Sequence, residues 1–508
     1  MASFETINDN TPILIAAGQV VQREANSTSP MQLAAMAALE AIKDSGLADI
    51  AAHIDTICVT KLFSDMGHLW ACQWGRSDNP PQSVAKQIGA SPEHRIYTQT
   101  GGNEPQSRVI EFAADIARGE RSMVLITGAE ALKNQRHAER NGMTLDWNET
   151  FDEPLTDRGF GDHVATSQEM KNGLNNVIYY YALVEQAQRH KLGRSVEEHR
   201  EAMAKLLESF SQVAANNPYA QFPGQQSAQD ILDAPNLTHL CTKRMIAQDG
   251  VNQGAALLMC SVGKARELGI AESNWVFMHG MAQGRELEVS YREDPAVSPM
   301  AGNVAKKVLD MAQIDISAIG LIDIYSCFPC AVTTVAEQLG LPTDGTQVLT
   351  ATGGLPYFGG PGNNYSMHGI AEAIGWAKQN TAAYAMVTSN GGVLSKHASG
   401  IYSHLPSNID WSTQETTLSN ETLQRRAVSA DPGHGTIVTY TVHFDAKGGS
   451  HAIIIGETDS GERFVACTDP QDQTTPTKML DSDPTGQRID VTLPVDEKLH
   501  FHFSQASA

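Results

Sequence analysis

The sequence predicts an α/β protein made of two related halves, with a helical insertion in the first half and a small β-rich domain at the end. Three observations lead there. Matched helix–strand units occur twice in the same order, a polar helical stretch interrupts the first copy, and the end of the chain changes to short alternating strands.

The first matched pair joins an amphipathic helix to a strand. Residues 31–44 place apolar side chains at three- and four-residue spacing and lead to Ile54-Asp55-Thr56-Ile57-Cys58-Val59. Residues 304–312 lead in the same way to Ile322-Asp323-Ile324-Tyr325-Ser326-Cys327. In the second pair, Gly101-Gly102-Asn103 precedes a helix over 105–118 and a strand over 123–126. Gly359-Gly360-Pro361-Gly362-Asn363 precedes a helix ending near Lys378 and a strand over 383–387, followed by Thr388-Ser389-Asn390-Gly391-Gly392. Strands separated by crossover helices imply mostly parallel sheets covered by helices.

The first half is expected over 1–265 and the second over 266–404. An insertion over 132–240 carries the apolar stripe Met203, Leu206, Leu207, Phe210 and Val213, which reads as a packed helix face. Residues 405–430 are polar and without a period, and read as a linker. In 431–508 the alternation Ile437, Val438, Tyr440, Val442, Phe444 opens a run of short strands at 452–455, 463–467, 489–493 and 499–503, which implies a small barrel or sandwich.

Composition narrows the function classes. The 508 residues are 41% hydrophobic and 19% charged, as expected of a globular enzyme rather than a disordered chain. A formal charge of -22 opposes non-specific nucleic-acid binding, which needs Lys and Arg against phosphates. The start of the chain lacks a basic segment, the apolar run 12–17 is shorter than a signal-peptide core, and no stretch is long enough for a membrane span. With seven scattered cysteines this implies reduced thiols and a cytoplasmic location. Cys327 and Cys330 form a lone Cys-x-x-Cys, too little for a metal site, so none is expected. No Walker loop or dinucleotide fingerprint is present.

Several strings carry a family resemblance. Asn216-Asn217-Pro218-Tyr219-Ala220-Gln221-Phe222, Cys241-Thr242 with the following Asp249-Gly250, Tyr325-Ser326-Cys327-Phe328, and Gly353-Gly354-Leu355 followed by Gly359-Gly360-Pro361 resemble strings of the sterol-carrier-protein type of thiolase. The match spans about residues 10 to 400, and the remainder looks like the additional C-terminal domain of type-1 thiolase-like proteins, often named acetyl-CoA acetyltransferases. The resemblance implies a thiolase-like fold of duplicated α/β halves with a helical loop insertion and a small C-terminal β-barrel-like domain.

It also implies a chemistry that can be checked position by position. Thiolysis needs a nucleophilic thiolate at a helix start, a second Cys that moves a proton, and an activating His. The nucleophile's position falls on Gly102, or one residue on at Asn103. The Gly-His-Pro histidine falls on Gly360. Cys327 matches the Cys of the His-Asp-Cys-Phe motif and is the candidate nucleophile or acid/base, with a small buried hydrophobe as the alternative reading. Cys330 reads as packing in the following helix. His368 either swings into the emptied pocket or lies one turn inside its helix and hydrogen-bonds locally. Asn103 and Asn364 stand at helix starts as amide donors to an oxyanion or as caps. The loop 353–362 has five glycines and two prolines, and its Tyr357 and Phe358 are candidates to line an acyl or pantetheine channel.

Two readings follow. One is an acyl-CoA acyltransferase or C–C-bond-cleaving enzyme of lipid metabolism working through Cys327, with or without His368. The other is a non-catalytic or scaffolding acyl-CoA-binding protein. Acid/base chemistry without a covalent intermediate stays open beside them. CoA or acyl-CoA is expected as substrate, with no permanently bound cofactor. A homodimer is compatible with the resemblance, although the additional domain could block it.

Overall fold

The computed structural model describes residues 4–67, 70–162, 164–445, 448–493 and 497–504. The first half and its insertion supply β1 (Pro12–Val21), β2 (Thr56–Val59), β3 (His94–Tyr97), β4 (Met123–Glu130), β5 (Thr156–Asp157) and β6 (Gln253–Ser261). The second half supplies β7 (Val276–Arg285), β8 (Ile319–Asp323), β9 (Tyr384–Gly391) and β10 (Lys396–Ser403). These form one sheet in the order β5-β3-β2-β4-β6-β1-β7-β10-β9-β8, with β11 (Thr417–Leu418) added beside β7.

The order displays the duplication. β1 and β7 lie side by side at the centre, and outward from them β1-β6-β4-β2 mirrors β7-β10-β9-β8. The helices repeat as well. α1 (Pro30–Asp44), α2 (Pro80–Ile88) and α3 (Glu104–Ala117) belong to the first half. The insertion contributes α4 (Leu132–Asn141), α5 (Ser167–Lys171), α6 (Val177–Lys191), α7 (Val196–Asn216) and α8 (Ala228–Leu232), and α9 (Val262–Glu267) follows β6. The second half has α10 (Pro299–Ala312), α11 (Pro329–Gln338) and α12 (Tyr365–Gln379).

α1 and α10 start alike, with Ser29 and Ser298 as caps that accept a backbone N–H and a proline in the first turn. Each also presses a carbonyl on a glycine of its neighbouring strand. A Cβ on Gly18 would collide with Ala37 O, and one on Gly280 with Val308 O.

The expectation of mostly parallel sheets needs correction. β2 pairs parallel with β3 and β4, and β8 with β9, but β4–β6, β6–β1, β1–β7, β7–β10 and β10–β9 are antiparallel. The helices α1 and α10 carry the chain from the central strands β1 and β7 out to β2 and β8. β9 and β10 are joined by a short reversal, which only an antiparallel pair permits.

Residues 405–430, read as a linker, lie against the second half: Trp411 is buried, β11 pairs with β7, and Arg425 stacks over Tyr291. Beyond them β12 (His434–Phe444), β13 (Ser450–Glu457), β14 (Arg463–Cys467), β15 (Arg488–Thr492) and β16 (His500–Phe503) close a barrel, with α13 (Thr474–Asp481) between β14 and β15. Ile437, Tyr440, Ile454, Phe464 and Phe501 fill its interior.

The barrel docks on the insertion. Thr439 Oγ1 donates to Leu183 O at 2.7 Å, His443 stacks on Tyr179 at 4.0 Å, and His239 N donates to Val442 O at 2.9 Å. Among the described residues no helix is long and apolar enough to cross a membrane.

Candidate functional site

The segments that follow β3, β8 and β9 meet at the ends of the parallel strands, the usual place for a site in such sheets. The loop 353–364 and helix α6 close over them.

Gly102 lies just before α3. A Cβ there would overlap the Tyr325 hydroxyl and stand 2.5 Å from Asn390 O, inside the closest approach of real atoms. The position to which the resemblance assigns a nucleophile therefore has no room for a side chain. Asn103 is the N-cap residue of α3 but does not cap it. Its Nδ2 donates to Ser107 Oγ at 3.1 Å, and its Oδ1 is buried without a partner. The N–H groups of Gly102 and Asn103 have no acceptor among the described residues.

The matching helix start in the second half is more fully bonded. Asn364 does not cap α12 either. It accepts from Thr60 Oγ1 at 2.9 Å and donates to Gly128 O at 2.7 Å, so it ties the second half to the first. Its neighbour Asn363 accepts from Gly101 N at 2.9 Å and donates to Lys61 O at 2.8 Å. Gly360 donates its N–H to Gln248 O at 2.8 Å, and a Cβ there would meet nothing nearer than 3.4 Å.

Cys327 follows β8 with 9% exposure. Asn390 Nδ2 lies 3.7 Å from its sulfur, and Tyr181 also bonds to it. Burial pushes the Cys327 thiol up to about 12, which leaves almost none of it ionised at neutral pH. Cys330 lies in the first turn of α11, fully buried, with its N–H on Glu185 Oε2 at 2.8 Å.

His368 lies one turn inside α12. Its Nδ1 is 2.7 Å from Gln19 Oε1, its ring meets the edge of Phe358, and its Nε2 is buried without a partner. Gln19 Nε2 donates to Glu372 at 3.0 Å, so its Oε1 accepts and the proton is assigned to Nδ1. Burial lowers the His368 imidazole to about 3 and keeps it neutral. Among the described residues, Cys327 and His368 have no hydrogen-bond or ring partner in common. Tyr365 and Phe358 stand between their surroundings, with ring centroids 5.3 Å (Tyr325–Tyr365), 6.1 Å (Phe358–Tyr365) and 5.0 Å (Phe358–His368) apart.

Tyr357 and Phe358 are both buried. The Tyr357 hydroxyl donates to Arg244 O at 3.1 Å, and Phe358 O accepts from Gln221 N and Gln253 Nε2. Positive φ at Gly353, Gly354, Gly359 and Gly362 lets this loop fold tightly, and Gly353 packs directly on the backbone of Ala214 in α7.

Three residues at the centre escaped the sequence reading. Tyr325 stands where the family motif has His, and Asn390 is the last residue but one of β9, at the start of the Asn-Gly-Gly string; both strings were visible, but not their meeting. Tyr181 comes from the insertion, and its hydroxyl accepts from Asn390 Nδ2 at 2.8 Å. Its ring stacks on Phe328 at 4.2 Å. Nothing in the sequence pointed to it. Among the described residues, no group of three His, Cys, Asp or Glu is placed to hold a metal ion.

Comparison with known proteins fits this geometry. The family profile described as the thiolase-like protein type 1 additional C-terminal domain matches residues 417–497. No curated protein matches the chain. Among solved structures, a monomeric SCP2-thiolase-like protein type 1 from Mycobacterium smegmatis is 34% identical. It covers 98% of this chain and 100% of its own, with a TM-score of 0.83.

An Ltp2-ChsH2(DUF35) aldolase (20% identity, 78% of this chain and 99% of its own, TM-score 0.57) shares the fold. So does an acetyl-CoA acetyltransferase from Syntrophomonas wolfei (14%, 78% and 100%, 0.55). The full-length match, the additional barrel and the duplicated sheet agree: this chain belongs to the SCP2-thiolase-like protein type 1 family.

Proposed function

We propose that the protein binds an acyl-CoA without passing the acyl group through a cysteine. The observation that carries this is the filled space at Gly102, where the Tyr325 ring and the Asn390 carbonyl leave no volume for a nucleophilic side chain. The neutral, buried Cys327 thiol and the neutral, buried His368 ring support the same reading. The acyl-CoA itself is inferred from the family's relation to acetyl-CoA acetyltransferases.

We further infer a single-chain working unit. The M. smegmatis relative is described as monomeric, and here β5 pairs with Ile96 and Tyr97 on the outer edge of β3, which shortens the edge open to a second copy. A cytoplasmic location and a place in lipid metabolism belong to the same proposal.

The test combines calorimetry with intact-protein mass spectrometry. CoA and acetyl-CoA should bind, and no acyl adduct should form on any cysteine. Acyl transfer through Cys327, the other reading, is favoured by that residue's match to the family's Cys-Phe string. It requires a Cys327-dependent adduct or release of CoA, and either result would overturn the proposal.

A further inference from the structure

The seam between the barrel and the insertion holds two histidines that take no part in the central site. His239, near the end of the insertion, is buried, and both of its ring nitrogens are engaged. Its Nδ1 accepts from Val442 N of β12 at 3.3 Å. Its Nε2 lies 3.1 Å from Gln186 Oε1, which also accepts from Arg189, so the proton is assigned to Nε2. The ring stacks on Tyr440 of the barrel at 4.9 Å. Next along β12, His443 stacks on Tyr179 of α6 at 4.0 Å, and its Nδ1 is buried without a partner among the described residues.

This seam accommodates neutral rings and not charged ones. A proton on His239 Nδ1 would face the Val442 N–H, replacing an acceptor by a second donor. The charged groups around it are Arg189 of α6, Arg200 of α7 and Asp483, which Arg189 holds. Burial, then Arg189, lowers the His239 imidazole to about 3, with Asp483 offsetting only part of it. Around His443 stand Tyr179, His451 of the paired strand β13 at 5.6 Å, and Asp445, which bonds to His451 at 3.3 Å. Burial, then His451, lowers the His443 imidazole to about 4. The apolar side chains of the seam, Ile453, Ile455 and Val465, do not respond to pH.

We infer that the seam is an acid-sensitive clasp: protonation of His239 and His443 releases the barrel from the insertion while the duplicated sheet stays folded. The inference needs no ligand and stands apart from the acyl-CoA reading. The barrel has an apolar interior of its own and can leave as a unit. Its release takes the contacts of Tyr179 and Leu183 with it, and so the support on both sides of Tyr181. Both rings have values below 6.5 in the docked protein, so their full contribution to docking is present above pH 6.5. It is lost as pH falls towards 4 for His443 and 3 for His239. Between pH 7 and pH 5 each histidine lowers the docking constant about twenty-fold.

The six tryptophans all precede β12, so their emission reports the sheet, while small-angle X-ray scattering reports the position of the barrel. In urea at pH 7 the two signals should change together. At pH 5 the radius of gyration should rise at a lower urea concentration than the tryptophan transition. His239→Asn combined with His443→Phe keeps an acceptor for Val442 and an aromatic face for Tyr179, and removes both titrations. This double variant should bring the transitions back together at pH 5. His443→Phe alone keeps the stacking and should narrow the gap. Coincident transitions of the wild-type protein at pH 5, or a gap that neither variant narrows, would overturn the inference.

Discussion

The two halves present equivalent helix starts, α3 and α12, to one centre, and the chain has closed them in different ways. At Gly102 the space of the missing side chain is filled from the other half by Tyr325 and Asn390. At Gly360 an added Cβ would reach ordinary van der Waals distance, with Gln248 O nearest at 3.4 Å. The two glycines, each standing where the resemblance expects a functional residue, therefore differ physically. One position has become obligatory glycine through what packs on it. The other has merely lost a side chain.

Alanine separates the two most sharply. Gly102→Ala should destabilise the protein by about 3 kcal/mol, because a backbone carbonyl cannot move aside as a flexible side chain can. Thermal and urea unfolding measure this, and a stable Gly102→Ala protein would break the contrast. The next effect belongs to α12. His368 has a folded value near 3 against an ordinary 6.5, so it is neutral when folded and its full contribution is present above pH 6.5. As pH falls from 6.5 towards 3 the unfolded chain takes up the proton and stability is lost. Between pH 7 and pH 5 this amounts to about 2 kcal/mol. His368→Asn keeps a donor for Gln19 and should flatten the pH dependence of urea unfolding by that amount. The smallest effect is expected at Gly360→Ala, within about 0.5 kcal/mol of wild type by the same measurement.

The duplicated plan was legible because each helix and strand carries its own period. The strand 463–467 was located to the residue, and 489–493 and 499–503 to within one. The antiparallel centre was not legible, since the apolar run of β6 reads the same whichever way it lies and β10, with Lys396, His397, Ser399 and Ser403, carries no apolar run at all. That a glycine, Gly102, stands where the resemblance expects a nucleophile could be read from the sequence. What packs against that glycine could not, because Tyr325 and Asn390, like Tyr181 beside them, come from distant segments and meet only in the fold. Asn103 and Asn364 show the same limit. Both stand where caps belong, yet their amides are drawn to partners elsewhere: Asn364 bonds to the ends of β2 and β4, and Asn103 to Ser107 within its own helix.

Helix α6 touches both the barrel and the centre. Tyr179 and Leu183 meet β12, while Tyr181, between them, bonds to Asn390, and Glu185 accepts from the first turn of α11. One stiff rod thus serves as the foundation of the small domain and as a wall of the central chamber. A shift of the barrel would be passed along this one helix to Tyr181 and Asn390; the additional domain is mechanically in series with the central residues.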